Sequence, residues 1–565
     1  MKKLFLIVLL VSMLNFASAI PFDTGATGGT VSVPGDYASL KLAADAFNAL
    51  SGGINANWTL AITGDLTEPD NVAFGNLTNG KTLTIKPAAT KSPTITFTAA
   101  TAAGIYGHLV FGVKQVTGDA VESDYFETTN GYVIDGNNGG TAGERNMTLT
   151  NTAGSATGRI ISIFGKTNGV IIKNLNLIQA DTSGTTWCVR WAGGSLGAYT
   201  NIAADGGRIE NCLMTATLNP AGVAISFSPG AATPSLARPN AFQNFDFINN
   251  EIIAGQRGIF LDSVGGTINV KGNKITLSGR TGYTTAGIFH WHANNMNNYT
   301  INIDGNILDI TTPNVSATNG TYGILIDNYY DDALTPPAGD VDNNGTVNIQ
   351  NNILKNFAFT GASAVDQYYR GIVIVRSRVT YKIEHNSINM PLSDMVTGVT
   401  AGRVGAIVAT TAAATSPINL KNNLIRMAQT AGTGVNLVYA TGGVLTSGGN
   451  NLVSPGGADI GYVGTTTYAD FAAWQAAGYD TAATNGQSVD PTTTTPSWDS
   501  NLKFDCYGVP SPMVGVASST VLTDIDGEAR PATGATPGAD EPRVGTPPTP
   551  TPIVLSTNSS WGLYE

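Results

Sequence analysis

The sequence predicts an all-β solenoid, a stack of short-stranded coils closed at both ends. Three observations predict it. An apolar–any–Asn–any–apolar phrase recurs, as Ile209-Glu210-Asn211-Cys212-Leu213 and Ile248-Asn249-Asn250-Glu251-Ile252, then around Asn273, Asn306, Asn352, Asn386, Asn423 and, more loosely, Asn451. An earlier copy, Ile172-Lys173-Asn174-Leu175-Asn176-Leu177, centres on Asn174 or Asn176. Repeats of this length are units that bury an apolar face only by stacking on their neighbours. Charged residues are only 12% of the chain and Gly numbers 67, a neutral, turn-rich composition. Finally, 565 residues exceed what one ordinary core holds, whereas a solenoid grows in one dimension.

Residues 1–19 read as a secretory signal peptide: Lys2 and Lys3, an apolar run from Leu4 to Leu14, and the small-residue site Ala17-Ser18-Ala19. The run is too short to span a bilayer, and no later segment is apolar enough. Residues 20–81 form the expected N-terminal cap. Within it, Tyr37–Leu50 has helical periodicity, with Leu40, Leu42, Ala43, Phe47 and Leu50 on one face, and Trp58–Ile62 reads as a strand. A helix there covers the open end of the apolar stack. Coils follow over 82–467. They are too short for strand-helix-strand units, so each holds two or three short strands in parallel sheets. Residues 468–544 read as a C-terminal cap that opens on a short helix near Tyr468–Trp474. A stiff Pro/Thr linker and a short apolar tail occupy 545–565, either a sorting or attachment tag or a disordered end.

The recurrent Asn lies two residues from apolar positions on either side, so strand parity points it inward. Buried carboxamides need partners, and stacked coils supply them as a ladder. These asparagines are structural and not a binding site. Cys188 and Cys212 are spaced for adjacent coils, either disulfide-bonded or as two buried thiols; no Cys/His spacing suggests zinc. The formal net charge of −11 argues against nucleic acid, which requires a basic stripe.

The Asn-centred coils resemble right-handed parallel β-helix proteins of the pectate-lyase-like superfamily. Further likeness lies in Tyr37-Ala38-Ser39-Leu40-Lys41-Leu42-Ala43 with Ile62-Thr63-Gly64 and Glu68, in Val133-Ile134-Asp135-Gly136, and in Asp524-Ile525-Asp526-Gly527-Glu528-Ala529-Arg530-Pro531 through Gly538-Ala539-Asp540-Glu541. The resemblance covers about residues 30 to 541. It implies the fold, export and contact with carbohydrate. It does not imply a reaction, because the superfamily holds lyases, glycosidases, esterases and adhesins. The G-H-G and R-I-K motifs of its polygalacturonases do not occur. Tyr330-Asp331-Asp332-Ala333 has an acidic pair without the surrounding motif.

Several coils carry a Gly before an apolar strand: Gly222, Gly258, Gly287, Gly323 and Gly371. Aligned on that Gly, the fifth column reads Ser226, Asp262, Trp291, Asp327, Val375. The sixth reads Phe227, Ser263, His292, Asn328, Arg376. Asp262 and Asp327 would then stand two strands, about 9.6 Å, apart. That is near the upper separation for the acid and base of an inverting glycosidase. Trp291 would stack on a sugar ring and His292 relay a proton. Arg376, Tyr329, Tyr330, Tyr368 and Tyr369 would line the groove, near Asp331, Asp332 and Arg370. The bland alternative is a β-helix face with scattered polar residues. His290 falls in an inward column and reads as a core histidine.

Asp340-Val341-Asp342-Asn343-Asn344-Gly345 begins like a calcium loop, but Asn351 stands where the closing Glu belongs. A full EF-hand is excluded. What is left is a partial calcium site at Asp340, Asp342 and Asn344, or a plain turn. No phosphate loop, dinucleotide fingerprint or nucleophile elbow occurs. Two functions follow. One is a secreted or cell-surface protein that engages extracellular polysaccharide without catalysis. The other is a polysaccharide-cleaving enzyme with Asp262, Asp327 and His292 as its machinery. The missing family motifs favour the first.

Overall fold

Strand pairing in the computed structural model builds a parallel β-helix of three sheets. The described residues are Phe22 and 27–541, less 51, 76–77, 99–106, 113–130, 153–157, 165–166, 181–185, 193–203, 217–221, 229–241, 263, 279–283, 292–298, 313–319, 328–344, 360–367, 376–378, 392–403, 411–415, 430–433, 494–498, 500–501, 504–510, 512 and 518–519. The segments expected to be a signal peptide and a linker with its tail lie outside them. Among the described residues two sheets have 13 strands and one has 12, and each coil contributes one strand to each sheet in turn. We call them sheets A, B and C, in the order the chain visits them. Pairing is parallel throughout, except that Asp459–Val463 meets Thr466–Tyr468 antiparallel where the stack ends. The stack starts before residue 82: Gly29–Val33 already pairs with Trp58–Ile62, and Leu66–Glu68 and Val72–Phe74 complete a coil.

In sheet A the side chains alternate in the manner of a half-buried strand. Thr346-Val347-Asn348-Ile349-Gln350 buries only Val347 and Ile349. From Asn211 onward the passage from sheet A to sheet B takes two residues. The first adopts a left-handed conformation that Asn and Gly tolerate, as at Asn249 (φ 53°), Gly272 (66°), Asn351 (55°) and Asn422 (52°). The second points inward. This explains the doublets Asn249-Asn250, Asn351-Asn352 and Asn422-Asn423.

The inward asparagines form a polarised ladder. The Nδ2 of Asn250, Asn273, Asn306, Asn352, Asn386 and Asn423 each donates to the Oδ1 of the next rung at 2.9–3.0 Å, ending on Asn450. Each also donates to a carbonyl one coil back, such as Asn352 to Ile303 at 2.9 Å. The last rung is Asp480, which accepts both the backbone N–H and Nδ2 of Asn450 at 2.9 Å. A carboxylate suits this end because the final rung has only to accept. Three of the repeat centres need correction. Asn174 and Asn211 are the left-handed turn residues (φ 56° and 50°), and Leu175 and Cys212 occupy the inward position. At the C-terminal end the rung is Asn450, not Asn451. Strand parity does not carry through a two-residue turn.

Cys188 and Cys212 are buried free thiols, not a disulfide. The Cys212 thiol meets the Glu210 carbonyl at 3.3 Å, and burial pushes its pKa up to about 12.

At the N-terminal end, a helix spans Leu40–Asn48 with Ser39 as its N-cap. Leu40, Ala43, Ala44 and Phe47 are buried, but Leu42 is 51% exposed, off the predicted face. Phe47 packs edge-on against Phe74 at 5.8 Å. The buried Glu68 carboxylate accepts the backbone N–H groups of Leu40 (2.6 Å) and Lys41 (3.3 Å), so this residue ties the helix to the first coil.

At the other end, the helix Phe471–Ala476 lays Trp474 on Gly461, where a Cβ would lie 2.2 Å from the indole. The Trp474 indole N–H donates to Asp480 at 3.0 Å. The chain then returns along the outside of the A-to-B turns. Val516 N–H donates to Asn422 Oδ1 (2.8 Å), and Gly538 N–H to the Asn422 carbonyl (2.7 Å). His385 Nδ1 lies 3.3 Å from the Thr536 carbonyl, and Arg530 donates to Asn351 Oδ1 at 2.8 Å. A buried ion pair, Arg530 to Glu541 at 2.5 Å, fastens this strap. Asp524 closes its turn by accepting from Asp526 and Glu528 N–H. No helix among the described residues is long and apolar enough to cross a membrane.

Candidate functional site

Sheet C departs from the alternation of sheet A. Thr321–Val375 contributes two strands, Thr321–Asp327 and Tyr369–Val375, in which every residue but the last is buried. Such unbroken apolar runs mark strands covered on both faces. Gly258, Gly287, Gly323 and Gly371 stack in one column here. A Cβ on Gly287 would meet Leu308 Cδ2 at 2.5 Å and the Gly323 carbonyl at 2.8 Å. The strands kink at this glycine, so that residues three apart, such as Arg257 and Phe260, both face outward.

Three outward columns result. Register places Arg159, Trp187, Val223, Arg257, Ala286, Tyr322 and Arg370 in the first. The second holds Ser162, Arg190, Ser226, Phe260, Phe289, Leu325, Val373, Val408, Tyr439 and Tyr462. The third holds Asp262, Trp291, Asp327, Val375 and Thr410. Phe260, Phe289, Tyr322, Leu325, Val373 and Val408 form an apolar cluster separate from the core, with Trp187, Trp291, Tyr368 and Tyr439 packed on it.

Guanidinium groups lie on these rings. Arg159 and Arg190 sit 4.8 and 4.9 Å from the Trp187 ring centre. Arg257 lies 4.4 Å from Phe260 and 4.9 Å from Phe289, and Arg370 lies 4.4 Å from Tyr368. Burial lowers the pKa of Arg257 to about 10, with nearby Asp262 pulling the other way. It lowers Arg190 to about 10 and, helped by the like charge of Arg190, Arg159 to about 8. All three stay cationic at neutral pH, but burial makes the charge costly.

The predicted site residues divide into three groups. Asp262, Trp291 and Asp327 are register partners in consecutive strands, so the backbones of the two aspartates are two strand spacings apart. Asp262 is buried, while Trp291 and Asp327 are half-buried. Trp291 lies 6.1 Å from both Phe289 and Phe260. Tyr368 is half-buried beneath Arg370. Tyr369 turns inward against Phe357, 2% exposed, and does not line the face. His292, Arg376, Tyr329, Tyr330, Asp331, Asp332, Asp340, Asp342 and Asn344 lie outside the described residues, and the calcium loop with them. Among the described residues no cluster of three or more His, Cys, Asp or Glu forms a metal site.

Two column assignments in one coil change, and Phe227 pairs with Leu261 rather than Ser263. Ser226 pairs with Phe260, not with Asp262, because Ala224 rather than Gly222 occupies the glycine position of its coil. His290 is fully buried, between Leu261 and Ile326 in register.

No family model and no curated protein matches the chain. Among solved structures, the chain is similar to PfbA, a surface adhesin of Streptococcus pneumoniae. The match covers 75% of this chain and 91% of that one, at 14% identity and a TM-score of 0.35. A likeness this distant says nothing about what the chain binds. The architecture rests on its own strand pairing.

The sequence reasoning missed Arg159, Trp187, Arg190, Arg257, Phe260 and Phe289. The detectable signal was the unbroken apolar character of the sheet C strands, which one-sided strands do not need.

Proposed function

We propose that this chain is an exported, surface-acting β-helix that holds extracellular polysaccharide along the outer face of sheet C without cleaving it. The observation that carries the reading is the set of half-buried rings and guanidinium groups on one face, Trp187, Arg190, Arg257, Trp291, Tyr368, Tyr439 and Tyr462, set among the buried side chains of Phe260, Phe289 and Arg370. Aromatic faces stack on sugar rings, and planar guanidinium forks pair with carboxylates or hydroxyls. Columns repeated at strand spacing suit a polymer better than a small ligand. The signal-peptide pattern and the neutral surface support an extracellular setting.

The alternative is a glycosidase or lyase in the same groove. The register of Asp262, Trp291 and Asp327 favours it, since two carboxylates flanking a ring have the layout of an acid–base pair.

The deciding experiment incubates the protein expressed from Ile20 with acidic and neutral polysaccharides, with calcium or with chelator. Reducing ends and absorbance from unsaturated products are both read. Retention on a glycan without cleavage supports the binder. Cleavage lost in Asp262→Asn or Asp327→Asn establishes the enzyme. Neither retention nor cleavage across the panel ends both readings.

A further inference from the structure

The row of turns beneath the C-terminal strap holds one residue unlike its neighbours. Successive coils place Asn351, His385 and Asn422 at the left-handed position, with φ of 55°, 55° and 52°. The two amides keep one charge state at any ordinary pH, whereas the imidazole titrates. Its ring is fully buried where the strap passes over it. Nδ1 lies 3.3 Å from the Thr536 carbonyl, which can only accept, so Nδ1 carries the proton. Nε2 is then an acceptor, and Asn422 Nδ2 donates to it at 3.1 Å. The direction of that bond is locked. Asn422 Nδ2 also donates to the Val516 carbonyl at 2.7 Å, and its Oδ1 accepts Val516 N–H at 2.8 Å. The amide cannot turn over without breaking both bonds to the strap.

A second proton on the ring would sit on Nε2 and face the Asn422 NH2, donor against donor. The Gly538 carbonyl, which also favours a charged ring, already takes Arg530 at 3.0 Å. The strap is seated too closely to step aside. A Cβ on Gly538 would lie 2.9 Å from Ser387 Oγ, and one on Gly515 2.9 Å from Asn422 Cγ. Charges face this ring from each element packed on it. The strap brings Arg530, with Glu541, Asp524 and Asp540 around that guanidinium, and the next coil brings Lys421. Glu384, on the ring's own strand, accepts from the Thr520 hydroxyl of the strap at 2.6 Å. Burial above all, then Arg530 and Lys421, oppose a charged ring and outweigh the Thr536 and Gly538 carbonyls.

We propose that His385 is an acid-sensitive catch: when its ring takes a second proton, the strap lifts from the A-to-B turns while the coils beneath stay folded. Lifting uncovers side chains on the outside of sheet B that are now fully buried. Ser387 Oγ accepts Ala539 N–H at 3.0 Å, and Leu424 lies under Gly538 and against Leu502 and Met513. The ladder does not depend on the strap, because Asn386 and Asn423 bond to neighbouring rungs and to coil carbonyls. The sign follows from the docked ring staying neutral while a released ring ionises near 6.5. Docking is then weakened as pH falls below that value. The open fraction of the strap should grow about tenfold per pH unit there, and about 25-fold in all between pH 7 and 5. The device is independent of what the sheet C face binds.

The test is hydrogen exchange, read by peptide, on the protein expressed from Ile20 at pH 7, 6 and 5. Rates are expressed as protection, so that the intrinsic pH dependence of amide exchange drops out. Strap peptides holding Val516, Gly538 and Ala539 should lose about 25-fold in protection from pH 7 to 5, while ladder peptides around Asn306 and Asn352 keep theirs. His385→Asn, a residue this turn accepts in the coils on either side, should abolish most of the loss. Asn422→Asp is the second variant. Its carboxylate can accept from a charged ring, so protection of the strap should hold or rise as pH falls.

Equal loss in wild type and His385→Asn assigns the effect to the strap's carboxylates, Glu541 above all, and overturns the catch. A wild-type strap that stays protected to pH 5 overturns it too, as do ladder peptides that open together with the strap. If His385→Asn leaves the strap open already at pH 7, the ring titration decides. The chain has four histidines, so their labelled ring carbons can be followed by NMR. A His385 ring that ionises at or above 6.5 under a closed strap refutes the proposal. One that stays neutral until the strap opens, with the pH dependence lost or reversed in Asn422→Asp, supports it.

Discussion

Asn352→Ala removes one rung from the middle of the inward ladder. Asn352 Oδ1 accepts from Asn306 N (3.0 Å) and Asn306 Nδ2 (2.9 Å). Its Nδ2 donates at 2.9 Å to the carbonyls of Ile303 and Gln350 and to Asn386 Oδ1. Alanine cannot replace any of these bonds, and all of them are buried or partly buried. The main cost comes from the two Asn306 donors left without an acceptor. At about 1–3 kcal/mol each, the expected loss is about 2–6 kcal/mol. Asn386 Oδ1 is less affected because it still accepts from Asn352 N at 3.1 Å. Polarity gives the control. Asn352→Asp can still accept but cannot donate, so it should cost at least as much as Ala at neutral pH and recover as the carboxyl is protonated. Asp480→Asn should also cost stability, since an amide that keeps its oxygen on Asn450 turns its NH2 toward the Trp474 indole N–H, which loses its acceptor. Solenoids open locally, so peptide-level hydrogen exchange is the assay, read together with denaturant midpoints. Faster exchange should centre on the turns at Asn306, Asn352 and Asn386. An Asn352→Ala variant within 1 kcal/mol of wild type, about the net worth of a single hydrogen bond, would refute the cooperative ladder.

Gly323→Val places a Cβ 2.6 Å from Leu354 Cδ2 and 2.7 Å from the Gly371 carbonyl, and should cost at least the ~1–3 kcal/mol typical of overpacking. A midpoint shift below that range would mean the glycine column is not sterically required. Glu68→Ala leaves the Leu40 and Lys41 N–H groups without their carboxylate, and the Leu40–Asn48 helix should lose protection by about 1.5–3 kcal/mol while the distant coils are unaffected. Burial, together with nearby Arg530, holds His385 well below the usual histidine range. As pH falls through about 6.5 the unfolded chain takes up a proton that the folded state refuses, so stability drops by up to about 1.4 kcal/mol per pH unit. His385→Asn, the residue found at the equivalent turns Asn351 and Asn422, should flatten the slope between pH 7 and 5; identical slopes would contradict that assignment.

The legible part of the sequence was the part that stacking makes repetitive. Each inward Asn bonds to the next, so the constraint recurs in every coil and leaves a visible phrase. The phrase failed at Asn174 and Asn211, where the left-handed turn also favours Asn and two different physical needs produce the same letter. The capping helix was legible from its apolar period, but Leu42 was misplaced because the helix buries only a narrow face. On sheet C the glycine column gave the right register for Asp262, Trp291 and Asp327. It failed at Ser226, where Ala224 does the work of glycine two residues further on. The guanidinium–ring contacts were invisible because Arg159 and Trp187 are a coil apart in sequence and nothing local requires them to meet. The returning strap was equally hidden, since Arg530 and Asn351 meet only after the whole stack has formed.

The two functional readings of the sheet C face make opposite predictions for the same pair of substitutions. The first two columns carry the cations and the third carries Asp262 and Asp327. Five residues separate Arg257 from Asp262, about 16 Å along the backbone, but the Arg257 guanidinium lies over Phe260 and feels the Asp262 carboxylate, which pulls its pKa upward. For a polymer charge about 10 Å from a carboxylate, the repulsion is about 0.4 kcal/mol in water. At physiological salt, with a Debye length of about 8 Å, most of that is screened. If the face only binds, Asp262→Asn and Asp327→Asn together should tighten acidic glycan two- to fivefold at low salt and change little at 0.15 M. If the face cleaves, either substitution removes an acid or a base from the reaction and should lower turnover by about 10²–10⁴-fold, with binding nearly intact. The salt series separates the outcomes, because electrostatic repulsion fades with ionic strength and a lost proton transfer does not. Weakened binding in the double variant at every salt concentration would contradict both readings and make the carboxylates direct ligands of the sugar hydroxyls.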